Sequence, residues 1–425
     1  MNADLAATAD RFITLDVTRG VAVMGIFSVN VVGMAMIQQA YFYPPAFGFD
    51  MLSDKLMWLG NFLLIDGKLR ALFSIMFGAS LMLVIERAVA AGRSGWRTHV
   101  ARMIVLMGFG LLHWALLWWG DILTHYAAVG LVVALFARLK AKTLFILAAA
   151  GLLINAGLGA FFVGSGVVEY EQTQARIADG TATPKMIEDI REGEARMAPD
   201  AATIAKDKAD HRNITAHVAW ALEEGFIAPF DLGPLWLETI SLMLLGMAGY
   251  KGGFLTGQWD RRRYRRVATI TLGIGLAAYA ALAAVVIAKN FLAPYFVLAN
   301  FGLAPLFRPI MAMGYAALII LLVSPGGALT ARLAAVGRTA FSNYLGCTII
   351  GTFIFFGFAG DLYAELSRSQ AWLLVPPVWL AMLAWSKPWL DNFQYGPFEW
   401  AWRSIARWKL QPMRKIQPAT AAATA

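Results

Sequence analysis

Cysteine is nearly absent from this chain. Cys347 is the only one in 425 residues and lies inside an apolar run, so an intrachain disulfide and a cysteine-based metal site are both excluded. Charge is scarce too: 15% of residues are Asp, Glu, Lys or Arg, where an average soluble domain carries about 25%. So little charge over this length would leave too much apolar surface in contact with water. Histidine is limited to five positions, and no metal site is expected. Nor is a cleaved leader. "MNADLAATADRF" is acidic and polar, and the run behind it is long enough to span a bilayer and lacks an A-x-A-type site. The net charge of +9 falls in short clusters between apolar runs. No basic face is left over for a polyanion, which argues against a nucleic-acid partner.

Apolar sequence is what the chain has in abundance, at 59% of residues. About 20 apolar residues cross a bilayer, and by that rule the chain reads as an all-α, polytopic membrane bundle of about ten spans. They centre on Ile13–Gln38, Leu59–Val84, Ile104–Trp119, Ile122–Ala137, Leu144–Val163, Leu235–Gly253, Val267–Ile287, Ile310–Val323, Ala340–Phe358 and Trp372–Leu390. The basic clusters orient them. Arg87 to Arg102, Arg138 to Lys142, "DRRRYRR" at Asp260 to Arg266, Arg332 with Arg338, and the tail from Arg403 to Lys415 all fall on one side if both termini are cytoplasmic. Four regions follow: a five-span bundle over 1–165, an extracytoplasmic soluble segment over 166–231, a second five-span bundle over 232–395, and an interfacial helix with the cytoplasmic tail over 396–425. Within the soluble segment "KMIEDIREGEARM" reads as an amphipathic helix starting at Pro184.

Ionisable residues inside such runs are costly, at least ~2.5–3.5 kcal/mol each at the bilayer centre, and therefore point to function. "GLLHWALLWWGDILTHYAAVGL" (Gly110 to Leu131) carries His113, Asp121, His125 and Tyr126. The third span ends near Trp119, Gly120 turns the chain, and Asp121 starts the next helix, whose N-terminus favours a carboxylate. His113 then lies about 9 Å below the outer edge by helical rise, and His125 reads as an interfacial imidazole. In "LDVTRGVAVMGIFSVNVVG", Asp16 and Arg19 are three apart at the cytoplasmic entrance and can pair. Asn30 lies about three turns beyond Arg19. "NFLLIDGKLRALFSIMFG" places Asp66, Lys68 and Arg70 within the second span. Asp66 and Arg70 have the spacing of an intrahelical pair, and the excess positive charge suits an anion.

Five stretches in order, "LDVTRGVAVMGI", "GKLRALFSIMFG", "GFGLLHWALLWWGDILTHYAAVGL", "GRTAFSNYL" and "GPFEWAWR", resemble the motifs of the YeiB-like bacterial inner-membrane proteins, from about Leu15 to Arg403. The C-terminal half of that family is a domain of unknown function. The first stretch is also similar to the opening span of the transmembrane acyltransferases typified by heparan-α-glucosaminide N-acetyltransferase. That likeness implies an enzyme moving an acyl group from cytoplasmic acyl-CoA, as co-substrate, to a small-molecule, lipid or saccharide acceptor across the membrane. Those enzymes use an Asn in the first span and a His in the loop after it. Asn30 matches the Asn; "QQAYFYPPAFGFDMLSD" contains no His, so the histidine role falls to His113.

Three function classes fit these residues. In an acyltransferase, His113 is the general base, Asp121 orients it, and Asn30 donates to the developing oxyanion. Lys68, Arg70, Asp66, Asp16, Arg19 and Tyr126 then serve the donor. In a transporter of a small anion or lipid-linked metabolite, the same charges form a midplane site, and interrupted helices are the expected mark. The third class is a non-catalytic membrane protein, and a homo-oligomer is compatible with all three.

Overall fold

Helices occupy each of the ten apolar runs in the computed structural model, which describes residues 2–225, 230, 233, 235–356 and 360–415, with residues 2–12 given by backbone alone. Two expected boundaries, Asp231 and Phe358, lie outside the described residues. The chain begins with α1 (Asn2–Ala35) and the short α2 (Gln38–Phe42), then α3 (Leu52–Leu64), α4 (Lys68–Ala90), α5 (Gly95–Leu116), α6 (Leu123–Ala134) and α7 (Ala141–Ala178). Three shorter helices follow, α8 (Pro184–Met197), α9 (Ala201–Asp210) and α10 (Ile214–Glu224). The second half contains α11 (Leu235–Lys251), α12 (Arg261–Ala288), α13 (Ala293–Val297), α14 (Ala304–Leu322), α15 (Ala328–Arg338), α16 (Ala340–Phe355), α17 (Arg368–Trp372), α18 (Val375–Asn392) and α19 (Pro397–Ala406). No strand occurs among the described residues; one antiparallel bridge joins Phe393 and Arg414.

Six helical stretches are long and apolar enough to cross a membrane: Ile13–Ala35, Leu52–Ala90, Gly95–Leu116, Ala141–Ala178, Arg261–Ala288 and Ala293–Leu322. The other four apolar runs form shorter helices. α6, with 12 residues, rises only about 18 Å against a hydrocarbon core of about 30 Å. α7 runs through residue 165 to Ala178, so no helix end coincides with the expected boundary there. The outer faces of α7 and α12 leave Phe145, Leu153, Phe161, Phe162, Ile270 and Ile274 uncovered. An apolar surface of that extent needs a hydrocarbon solvent. α8 begins at Pro184 with Thr183 capping it through the Met186 N–H at 3.3 Å, as its sequence indicates.

α11 is the buried centre of the larger core. It packs between α4 and α7, with Leu242, Met243 and Met247 fully covered. A helix apolar all round has this fate. α1 packs along α15 and against α4 and α16, while α12 lies along α14.

Two of the six stretches are interrupted. Between α3 and α4 the chain turns at Ile65–Gly67, with Gly67 at φ +71°. A side chain there would be strained and would meet the Arg308 Nε at 2.5 Å, so glycine is required. Between α13 and α14 a π-helical turn spans Leu298–Leu303. Tyr315 of α14 donates to the Leu64 carbonyl at the first break, at 2.7 Å.

Candidate functional site

Asp121 is held by the turn that its own position creates. Its carboxylate accepts the N–H groups of Leu123 (3.1 Å) and Thr124 (2.8 Å) in the first turn of α6, where free N–H groups and the helix dipole favour an anion. Gly110 of α5 makes room for it. A Cβ on Gly110 would lie 2.9 Å from Asp121 Oδ2 and 2.4 Å from the Thr124 N. His113, one turn further along α5, places Nδ1 3.0 Å from Asp121 Oδ1. Its Nε2 lies 3.0 Å from the Thr348 hydroxyl of α16. His113, Asp121 and Thr348 are all buried, and the Tyr344 ring lies 5.3 Å from the imidazole. His113 and Asp121 are therefore paired, and both imidazole nitrogens are engaged.

A cavity of about 850 Å³ approaches this pair from the α1 N-terminal end of the bundle. Along α1 it is lined from Ile13 to Ile26, a depth of about 20 Å by helical rise. Its outer part is basic, with Arg19, Arg87, Arg93, Arg102, Arg338 and Arg403 among nine Lys and Arg side chains against three Asp and Glu. Arg93 and Arg407 at its rim are exposed. The inner part is apolar and aromatic: Phe73, Leu106, Leu123, Tyr126 and Tyr344. Asp16 and Arg19 pair at 3.2 Å on its wall, and Arg19 also donates to Ser80 at 2.7 Å. Tyr126 is bonded to Ser74 at 2.7 Å. Asn30 lines a separate space of about 10 Å³ with Thr348 and Cys347, and Ile26 and Tyr344 border both cavities.

Lys68, Arg70 and Asp66 are elsewhere. None of the three lines the large cavity. Because α4 starts only at Lys68, Asp66 and Arg70 lose the helical spacing that would pair them. Arg70 instead meets Glu238 of α11 at 2.9 Å, and Arg308 of α14 meets the same carboxylate at 3.3 Å. The Lys68 ammonium caps the end of α3, donating to the carbonyls of Phe62 (2.5 Å) and Asp66 (3.0 Å). It also sits 3.2 Å from the Tyr279 ring centroid. Arg308 likewise donates to Asn300 in the π-helical turn, at 2.6 Å. Lys68 and Arg308 serve broken-helix carbonyls, and Arg70 and Arg308 share one carboxylate, with Arg70 Nη1 buried and without a hydrogen-bond partner. His125 is fully buried against Trp236, a departure from the interfacial position expected, because α11 covers that face of α6.

α10, with α9 packed on it, covers the end of α5 that carries His113. His217 of α10 is fully buried, with Nε2 3.1 Å from the carbonyl of Trp114. His211 stacks on Tyr363 and pairs with Asp207 at 3.1 Å. Burial, reinforced by His211, pushes the His217 imidazole down to about 4. The unfolded or undocked segment titrates near 6.5, so it binds protons first as pH falls. Docking of α10 is therefore fully present above about 6.5 and weakens as pH drops toward 4. Hydrogen exchange in Ile214–Glu224, corrected for intrinsic rate, is expected to accelerate from pH 7 to pH 4.5. Protection that stays flat across that range would refute the coupling.

Several of these residues carry no sequence signal or one that passes unread. Glu238 and Arg308 are lone charges in apolar runs, the pattern that marks Asp66 and Lys68. Thr348 has no signal at all, since a threonine inside a span usually bonds its own helix, as its hydroxyl also does to the Tyr344 carbonyl at 3.4 Å. The basic cavity wall draws on α1, α4, α5, α15 and the tail and exists only once they converge.

Comparison with known proteins places this architecture. Residues 249–409 match the family described as a protein of unknown function (DUF418). The chain is 30% identical to the uncharacterized protein YeiB of Escherichia coli (strain K12), over 93% of this chain and 96% of that one. It is 28% identical to the uncharacterized protein YxaH of Bacillus subtilis (strain 168), over 96% and 97% respectively. No solved structure matches. With near-complete coverage of these relatives and a helical bundle carrying six apolar helices of spanning length, the chain belongs to the YeiB family of bacterial proteins.

Proposed function

We propose that this protein is an acyltransferase of the bacterial inner membrane, with both termini cytoplasmic, that passes an acyl group from cytoplasmic acyl-CoA to a hydroxyl or amine acceptor on the far side. One observation carries the reading. The large cavity is basic where Arg93, Arg338 and Arg403 border it and apolar where it nears Tyr344 and the His113–Asp121 pair. An acyl-CoA has the same polarity, with phosphates at one end and a thioester on a neutral arm at the other. Guanidinium groups suit the phosphates, and a buried imidazole oriented by a carboxylate suits removal of the proton from a hydroxyl or amine that attacks the acyl carbon. Lys68 and Arg70, committed to carbonyls and to Glu238, have no part in holding the donor. That role passes to the arginines of the cavity.

The test is binding and transfer with the purified protein in nanodiscs. Labelled acetyl-CoA is expected to bind with a salt-dependent affinity, and Arg93→Glu with Arg338→Glu, both exposed at the rim, to weaken it roughly tenfold each. An affinity indifferent to both substitutions and to salt would remove the cavity from the mechanism.

A second reading has its own support. Transport sites form where interrupted helices meet at buried charges. Here the breaks at Ile65–Gly67 and Leu298–Leu303 are joined through Arg308 and Tyr315. Uptake of a labelled anion by proteoliposomes without acyl transfer would make this the better description.

A further inference from the structure

We propose that Thr348 is a nucleophile that carries the acyl group between donor and acceptor, with His113 and Asp121 as its base and orienting acid. The inference rests on the acyl-transfer reading and adds a covalent intermediate to it.

The geometry is that of a hydroxyl, imidazole and carboxylate in series. Asp121 Oδ1 lies 3.0 Å from His113 Nδ1, and His113 Nε2 lies 3.0 Å from Thr348 Oγ1. A carboxylate at Nδ1 keeps the ring N–H there and leaves Nε2 to take the hydroxyl proton, the logic of serine-hydrolase triads on unrelated folds. Thr348 keeps the bond to its own i−4 carbonyl, at 3.4 Å, that a threonine filling a helix interface would make. Thr348 reaches across 235 residues to an imidazole already oriented on its other side. Asn30 borders the same space of about 10 Å³ as Thr348, and its side chain carries an amide, the kind of donor that would stabilise an oxyanion there. Tyr344 borders both that space and the large cavity. Rotation of its ring would join them and admit the thioester.

The steps balance without any further reactant. Thr348 Oγ attacks the thioester carbonyl carbon as its proton passes to His113 Nε2. The C–O bond forms, the C–S bond breaks, and the departing sulfur takes the proton from His113, leaving acyl-threonine and free CoA thiol. The acceptor hydroxyl or amine then attacks the ester carbonyl. His113 removes its proton and returns it to Thr348 Oγ as the ester C–O bond breaks. The acyl group thus crosses the bundle on α16, and donor and acceptor need never share one cavity.

The intermediate can be sought without knowing the acceptor. Full-length protein in nanodiscs is incubated with [14C]acetyl-CoA, and in parallel with [14C]palmitoyl-CoA, and no acceptor is added. The expected result is covalent label stable to neutral hydroxylamine, released by alkaline hydroxylamine, and mapped to the peptide containing Thr348. Thr348→Val should lose at least 100-fold of the label and Thr348→Ser should keep it. If Thr348→Val does not fold, the mapping on the unsubstituted protein and the serine variant still decides. Label released at neutral pH and mapped to Cys347, label on His113, or a Thr348→Val protein that turns over acyl-CoA normally would each overturn the intermediate while leaving acyl transfer intact. Absence of any acyl-CoA binding or turnover would instead overturn the acyl-transfer reading, and the intermediate with it.

Discussion

His113→Ala is expected to reduce acyl transfer by about 10³-fold or more, the range found when a general base and its oriented partner are lost together. Binding of acyl-CoA should change little, because His113 is absent from the lining of the large cavity. Asp121→Asn should give a similar loss for a different reason. An amide at that position can present N–H to His113 Nδ1 and reverse the ring, so that Nε2 no longer accepts from Thr348. The same substitution keeps an acceptor for the Thr124 N–H and takes away the one at Oδ1 that Leu123 shares with His113, so the start of α6 should loosen but retain one cap bond. Turnover and donor affinity measured on one preparation separate the outcomes. Transfer by His113→Ala within a few-fold of the unsubstituted protein would remove the imidazole from the chemistry. A parallel loss of affinity and turnover would show that the substitution damages the bundle instead.

Glu238→Gln should be the most destabilising single change at the broken helices. Its carboxylate lies between Arg70 at 2.9 Å and Arg308 at 3.3 Å, and its side chain is 4% exposed. Neutralising it leaves two guanidinium groups facing one another without their counter-ion, and breaking a buried pair in this way costs about 3–5 kcal/mol. Arg308 also holds the π-helical turn through Asn300 and packs against Gly67, so both breaks should loosen together. The expected readout is a lower midpoint for unfolding in detergent and faster proteolysis near Ile65–Gly67. Replacing Glu238, Arg70 and Arg308 together by Met should recover part of the loss, because no charge is then stranded. A Glu238→Gln protein of normal stability that fails to take up an anion would favour the transport reading of this cluster.

What could be read from the residues alone follows from distance along the chain. The positions of the apolar helices follow from a bilayer of fixed thickness and a fixed rise per residue, and each of the ten runs holds helix among its described residues. Asp16 and Arg19 pair at 3.2 Å because three residues bring side chains to one face. His113 and Asp121 meet because only eight residues and one tight turn separate them. Pairings over long separations are a different matter. α11 and α16 are apolar on every side, so nothing in their sequences says which face Glu238 or Thr348 will present, or to what. The break at Gly67 then redirects Arg70 from Asp66 to Glu238, a partner 168 positions away, and commits Lys68 to the carbonyls that the break exposes. The basic cavity depends on α1, α4, α5, α15 and the tail meeting at one end of the bundle. Local spacing thus determined the helices and the Asp16–Arg19 pair. Helix rotation and helix contact, which an all-apolar surface does not encode, decided that Thr348 joins the His113–Asp121 pair and that arginines from α1, α4, the α4–α5 connection, α5, α15 and the tail line the approach to it.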